Sequence, residues 1–209
     1  MREILDLPKG IKIFTDFMSY SEAEYIIDIA ESAIDKDCKL EWSIPSSHSP
    51  DISCFRNNLG FNISEHGFKN TDCSCGVKEL DAILGKTMLK ALGEYNKEYK
   101  TFFTQDEGFV ITKQDNDHIS DFVIDDNPFV NRIISYNIAL NVDDPIQYMK
   151  FDKFDLEITI SKPSLVIFPS NFIYSYSKPK NEGLYEVLNY FNANPTKEVF
   201  DQVFQMTED

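Results

Sequence analysis

Four cysteines, three histidines and several clustered carboxylates are the residues of this chain whose types and spacing could do chemistry. The cysteines, Cys38, Cys54, Cys73 and Cys75, fall in one third of the chain, and His66 lies among them. Zinc takes four nitrogen or sulfur donors, so Cys54, His66, Cys73 and Cys75 offer one candidate set. Their spacing matches no compact zinc pattern such as C-x-x-C twice. Free thiols, the ordinary state in a reducing compartment, are the plainer reading. Asp121, Asp125 and Asp126 offer oxygen ligands to a hard cation, or form a solvated acidic face. His118, in the polar run "QDNDHISDF", reads as an exposed loop histidine or as a general base or ligand. Arg56, in "FRNN", reads as a structural hydrogen-bond donor. There is no glycine-rich phosphate loop and no G-x-S-x-G elbow, and no serine is nominated for a Ser-His-Asp triad.

The charge balance narrows the partners. With 35 acidic and 20 basic residues, the net charge is −15. Such a surface repels phosphate backbones, which argues against nucleic-acid binding and leaves a protein as the possible partner. No apolar run reaches the roughly 20 residues that a membrane helix needs. The first residues, "MREILDLPKG", carry no apolar core of signal-peptide length. The expectation is a cytoplasmic protein of ordinary globular composition, 42% hydrophobic and 26% charged.

These side chains must be held by elements that the patterning outlines. "IKIFTDF" alternates as a strand does. "SYSEAEYIIDIAESAI" carries two candidate capping boxes, Ser19 with Glu22 and Ser21 with Glu24, and an apolar face of Ala23, Ile26, Ile27 and Ala30. Residues 39–53 read as a loop with two prolines, and "CFRNNLGFNIS" as a strand. From Val77 to Tyr99 a stripe of Leu80, Ile83, Leu84, Met88, Leu92, Tyr95 and Tyr99 predicts a core-facing helix. After Tyr99 the chain turns to short strands rich in Val, Ile, Tyr and Phe. They are "EGFVITKQ", "NRIISYNIALNV", "DLEITI", "SLVIFPS", "NFIYSYS" and "LYEVLNYF". A last helix is expected over 194–206, with Asn194 as cap and Pro195 in the first turn. Helices followed by a run of strands predict an α+β fold in one domain spanning 1–209, with a helical half (1–100) and a β-rich half (101–191). Two long N-terminal helices would cover one face of the sheet.

Three of these segments carry a resemblance. "RIISYNIALN" (132–141), "SLVIFPS" (164–170) and "EGLYEVLNYF" (182–191) are similar, in order and spacing, to strands of the prolyl-4-hydroxylase-like 2-oxoglutarate/iron(II) dioxygenases, closest to the shorter phage and bacterial members. The resemblance spans residues 10–191 and implies a double-stranded β-helix, or jelly roll. It also implies an iron held by His-x-Asp and a distal His, three donors on one face of an octahedral ion. A basic residue would pair with the far carboxylate of 2-oxoglutarate, because an unpaired buried carboxylate is costly.

What the resemblance implies is incomplete in this chain. The first pair belongs between Gly108 and Arg132, in one of two registers. His118 takes the first position with Ser120 where Asp belongs, or Val123-Ile124-Asp125 keeps the acid and loses the histidine. The second register suits the spacing to Arg132 better. The distal histidine would fall at Tyr176, and no histidine follows residue 118. Leu184 stands where the basic residue belongs, and Lys178, Lys180 or Arg132 would have to replace it. The resulting expectation is a dioxygenase-like protein without the iron triad, using no cofactor and acting as a binding or structural module. The alternatives are a hydroxylase of a peptide or small molecule that uses iron(II) and 2-oxoglutarate through altered ligands, and a zinc-stabilised interaction protein.

Overall fold

The computed structural model describes residues 7–35, 58–64, 67, 76–101, 105–114, 120–123 and 132–192. Strand β1 (Lys12–Phe14) leads into helix α1 (Tyr20–Asp35). Of the two candidate capping boxes, the first forms. Ser19 Oγ accepts from the Glu22 N–H at 3.3 Å, and the Glu22 carboxylate accepts from the Ser19 N–H at 2.8 Å. Two N-terminal donors are thereby satisfied reciprocally.

The Ser19 backbone and hydroxyl hydrogen bonds hold the Glu22 carboxyl below its usual range. A depressed folded-state value stabilises above the unfolded value and is lost as pH falls through the folded one. Ser19→Ala is expected to lower unfolding free energy by about 1 kcal/mol at neutral pH. The Ser19 N–H bond to Glu22 survives in the alanine, so only the share of the deficit owed to the 2.7 Å bond from the Ser19 hydroxyl to that carboxylate should fade on acidification below the ordinary carboxyl value of 4.5. Urea titrations of both proteins across this range measure it, and a deficit independent of pH contradicts that hydroxyl–carboxylate bond.

After β2 (Asn58–Asn62) comes helix α2 (Val77–Tyr99). Of its predicted stripe, Leu80, Leu84, Met88, Leu92 and Tyr95 are buried, together with Val77 and Ala91, while Ile83 and Tyr99 are partly buried against the same core. Lys100 ends the helix in the left-handed conformation, its N–H returning to the Asn96 carbonyl at 2.8 Å. The strands follow: β3 (Gln105–Asp106), β4 (Val110–Gln114), β5 (Ser120–Val123), β6 (Arg132–Ala139), β7 (Ile146–Phe151), β8 (Leu156–Ile160), β9 (Ser164–Pro169), β10 (Tyr176–Lys178) and β11 (Tyr185–Asn192).

These strands make two antiparallel sheets. The larger has the order β1-β9-β6-β11-β4-β2, with β3 also paired to β11; the smaller has the order β5-β10-β7-β8. From β4 onward the chain crosses back and forth between the sheets, with β4, β6, β9 and β11 in the large one and β5, β7, β8 and β10 in the small one. This is the double-sheet arrangement of a jelly roll. It matches the expected α+β class with a mostly antiparallel core.

The large sheet is covered on both sides, which explains why β11 is buried at every position. Successive side chains of a strand point to opposite faces. Ile134, Tyr136, Ile138, Tyr185, Val187 and Phe191 join one apolar cluster with Ile26, Ala30, Leu84 and Leu92 of the two helices. Ala139, Val166, Phe168 and Leu184 face the other way, into a second cluster with Tyr148, Phe151 and Tyr176 of the small sheet.

Three expectations are corrected. Only α1 is N-terminal; the second long helix follows β2, so the helical half is interrupted by a strand that joins the sheet. The segment "NFIYSYS" is not one strand. Asn171 Oδ1 accepts from the Ile173 N–H at 3.0 Å and winds Phe172–Tyr174 into a 3-10 turn, so β10 starts at Tyr176. Strand β7, "IQYMKF", was not anticipated, because its apolar residues do not alternate; a register shift between Gln147 and Met149 breaks the period. The helix expected over 194–206 lies outside the described residues.

Candidate functional site

The inner face of the large sheet carries a polar patch beside the apolar residues of the second cluster. Ser135 and Asn137 of β6, Thr112 and Gln114 of β4, and Glu186 of β11 alternate with residues that face the helices, and all are buried. Ser135 Oγ and Ser170 Oγ bond to each other at 2.6 Å. The Asn137 amide and the Thr112 hydroxyl have no hydrogen-bond partner among the described residues. Such groups cost about 1–3 kcal/mol each, so stability alone does not account for this floor.

At its centre is a buried ion pair. Glu186 is 0% exposed and Lys178 8%. Glu186 Oε1 accepts from Lys178 Nζ at 2.6 Å and from the Tyr148 hydroxyl at 2.7 Å. Its Oε2 lies 3.4 Å from Gln114 Nε2. The Lys178 ammonium also lies over the rings of Tyr148 and Tyr176, at 5.3 Å and 5.8 Å from their centroids, within reach of a cation–π attraction. The turn between β10 and β11 is fixed from the same side. The Asn181 and Gly183 N–H groups donate to the side-chain and main-chain oxygens of Gln114, and Gln114 N–H donates to the Leu184 carbonyl.

The residues singled out in the sequence separate into three groups. Tyr176 and Val123 are brought together as register partners across β10 and β5, as are Lys178 and Ser120. Tyr176 is 2% exposed, its ring 5.2 Å from Phe168 and 5.8 Å from Phe151. Leu184 is buried in the same inner cluster. Of the three candidate bases, Lys180 is exposed. Arg132 grips Glu107 through two bonds of 2.6 Å and 2.5 Å and stacks 3.9 Å from the Tyr190 centroid. Lys178 meets a carboxylate inside the barrel, and that carboxylate belongs to the chain itself. His118, Asp125, Asp126, Cys54, His66, Cys73 and Cys75 lie outside the described residues. Among the described residues, no three His, Cys, Asp or Glu cluster to hold a metal.

Glu186 and Tyr148 went unnoticed in the sequence. The signal for Glu186 was present: a lone acid inside the apolar strand "YEVLNYF" must find a buried partner. Tyr148 gave none, since tyrosine is ordinary in a strand.

With this geometry in hand, the comparison with solved structures is direct. A viral collagen prolyl hydroxylase from Paramecium Bursaria Chlorella virus-1, solved as a 2OG complex, superposes with a TM-score of 0.56 at 14% identity, covering 88% of this chain and 95% of that one. The fold is that of the prolyl hydroxylases. A prolyl hydroxylase from Trichoplax adhaerens, in complex with a hypoxia inducible factor oxygen degradation domain peptide fragment, gives 0.63 at 12% identity, covering 88% and 83%. A Pseudomonas putida prolyl-4-hydroxylase gives 0.56 at 13% identity, covering 88% and 93%. No protein-family profile and no curated protein sequence matches the chain. No helix among the described residues is long and apolar enough to cross a membrane.

These structures correct one expectation. That no cofactor is used was inferred from individual ligand positions, yet the viral enzyme of this fold was solved with 2-oxoglutarate. Substituting single side chains removes ligands to a metal; it does not remove the barrel between the sheets. The fit of iron(II) is a narrower matter. Tyr176 is a phenol packed among aromatic rings and Val123 is an alkyl residue, whereas iron of this type takes two imidazoles and a carboxylate on one face. Those two residues do not fit the ion.

Proposed function

We propose that this chain is a binding module on the prolyl-hydroxylase fold that does not oxidise its ligand. The observation that carries this reading is the pairing of Val123 with Tyr176 across β5 and β10, with Tyr176 packed between Phe151 and Phe168. Read with the resemblance, these are the two positions that should hold the imidazoles, and they hold an alkyl group and a wedged phenol. Loss of outer-shell partners alone costs about 10–100-fold in metal affinity or activity, and loss of two direct ligands costs more. The ligand class proposed is a peptide or protein segment, which the peptide bound to the Trichoplax enzyme supports.

A hydroxylase with altered ligands is the second reading, favoured by the 2-oxoglutarate bound to the viral enzyme. The two are separated by incubating the protein with proline-containing peptides, iron(II), ascorbate and 2-oxoglutarate, followed by mass spectrometry. The binding-module reading expects unmodified peptide. Hydroxylated peptide that depends on both protein and 2-oxoglutarate establishes the second.

A further inference from the structure

We propose that the open edge of β1 and the adjoining face of α2 form a groove that takes an extended segment of a partner protein as an added strand. The proposal rests on the peptide ligand class given above and places that ligand outside the barrel, at the end of the large sheet. Strand β1 ends the sheet order, with β9 as its one partner among the described residues. The alternation of main-chain bonds shows which of its groups face outward. Ser170 N–H donates to the Ile133 carbonyl at 3.0 Å, so Phe168 and Val166 bond to β6, while Ile167 and Leu165 turn to β1. Lys12 and Phe14 lie opposite Ile167 and Leu165 and are the bonded residues of β1. Ile13, between them, turns its N–H and C=O away from the sheet. Ile11 has the same parity, and its carbonyl accepts from outside the sheet, from the Tyr99 hydroxyl at 3.4 Å. The Ile13 groups have no such partner among the described residues.

A cavity of about 350 Å³ opens along this edge, lined by Ile13 and Phe14 on one wall and by Thr87, Lys90, Ala91 and Glu94 of α2 on the other. That volume falls in the range of ligand sites, about 300–1,000 Å³. An unpaired strand edge is a template for another strand, and strand addition binds through main-chain bonds. The charges on the walls define what the strand carries. Lys12 is held by Glu98 at 2.8 Å and Asp16 pairs with Lys162, which leaves Lys90 and Glu94 on the helical wall. Those two are one turn apart, about 6 Å along the axis, and alternate residues of a strand are about 6.8 Å apart. The start of β1 lies against the end of α2, through Gly10 to Tyr95 and Lys12 to Glu98, so the two run in opposite senses. A strand added antiparallel to β1 therefore meets Lys90 before Glu94. The ligand class is an extended peptide with an acidic residue two positions before a basic one. Glu94 and Glu98 together face that base and Lys12.

The test uses the full chain and the fluorescein-labelled peptide Thr-Val-Glu-Val-Lys-Val-Thr, followed by anisotropy. The central valine falls opposite Ile13. Saturable binding is expected, and N-methylation of that valine, which removes the donor to the Ile13 carbonyl, should weaken it about tenfold or more. N-methylation of the lysine that follows, whose N–H points away from β1, should change affinity by less than about twofold. Lys90→Glu/Glu94→Lys alters two exposed side chains and should exchange the preference. It should bind the peptide with glutamate and lysine interchanged about fivefold more tightly than the original. The proposal is overturned if the peptide does not bind at protein concentrations up to about 1 mM. It is equally overturned if binding ignores the valine methylation or the charge exchange, or if the chain sediments as a dimer that Ile13→Pro dissociates. Binding that ignores both changes removes this groove and leaves the binding-module reading in place, which the hydroxylation result decides separately.

Discussion

Lys178→Met is expected to lower the unfolding free energy by about 3–5 kcal/mol, the cost of leaving one member of a buried ion pair alone. Glu186 is 0% exposed, and without the lysine its carboxylate keeps only the Tyr148 hydroxyl and the longer contact to Gln114. The loss arises from an uncompensated charge rather than from missing volume, since methionine replaces most of the lysine stem. Lys178→Met/Glu186→Gln should therefore recover most of it: the amide is neutral, and its oxygen still accepts from Tyr148. Urea unfolding of the two variants gives the comparison. A single variant within about 1 kcal/mol of wild type would show that water reaches Glu186 and that the pair is not buried in solution.

Tyr176→Ala is expected to cost a similar amount, about 3–5 kcal/mol, for a different reason. The ring touches Phe168, Phe151 and the Lys178 ammonium. Its removal leaves a cavity between the sheets that three large neighbours from separate strands cannot collapse into together. Tyr176→Phe, which keeps the ring, should lose about 1 kcal/mol or less. An alanine variant as stable as wild type would mean that the space is already open, as a working metal site would require. Differential scanning calorimetry of the three proteins distinguishes these outcomes.

The large-scale plan of the fold was legible because its signals are periodic. Helix α2 announced itself through the stripe from Leu80 to Tyr95, and α1 through Ser19 and Glu22. Strands β6, β9 and β11 were visible as dense apolar runs because helices cover one face and the small sheet the other. What escaped were the short β3 and β5, the latter beginning inside the polar run "QDNDHISDF", then β7 with its register shift, and the 3-10 turn at Phe172, where a local Asn171 side-chain bond overrides strand propensity.

The site was legible only where chemistry is tied to position. Tyr176 and Val123 were numbered from motif spacing as positions that the resemblance implies, and the structure shows them as register partners. Which base would meet a carboxylate could not be numbered in this way, because Lys178, Lys180 and Arg132 differ in burial and partners rather than in type. That Lys178 meets Glu186 depends on β10 and β11 facing each other across the barrel, which no local pattern encodes.

The central claim is that this prolyl-hydroxylase fold binds without oxidising. Succinate formed from 2-oxoglutarate tests it most directly, because this turnover can be read with or without a peptide substrate. With iron(II), ascorbate and oxygen supplied, the account predicts succinate no higher than in protein-free controls. Iron-dependent succinate that rises in proportion to protein concentration would contradict it.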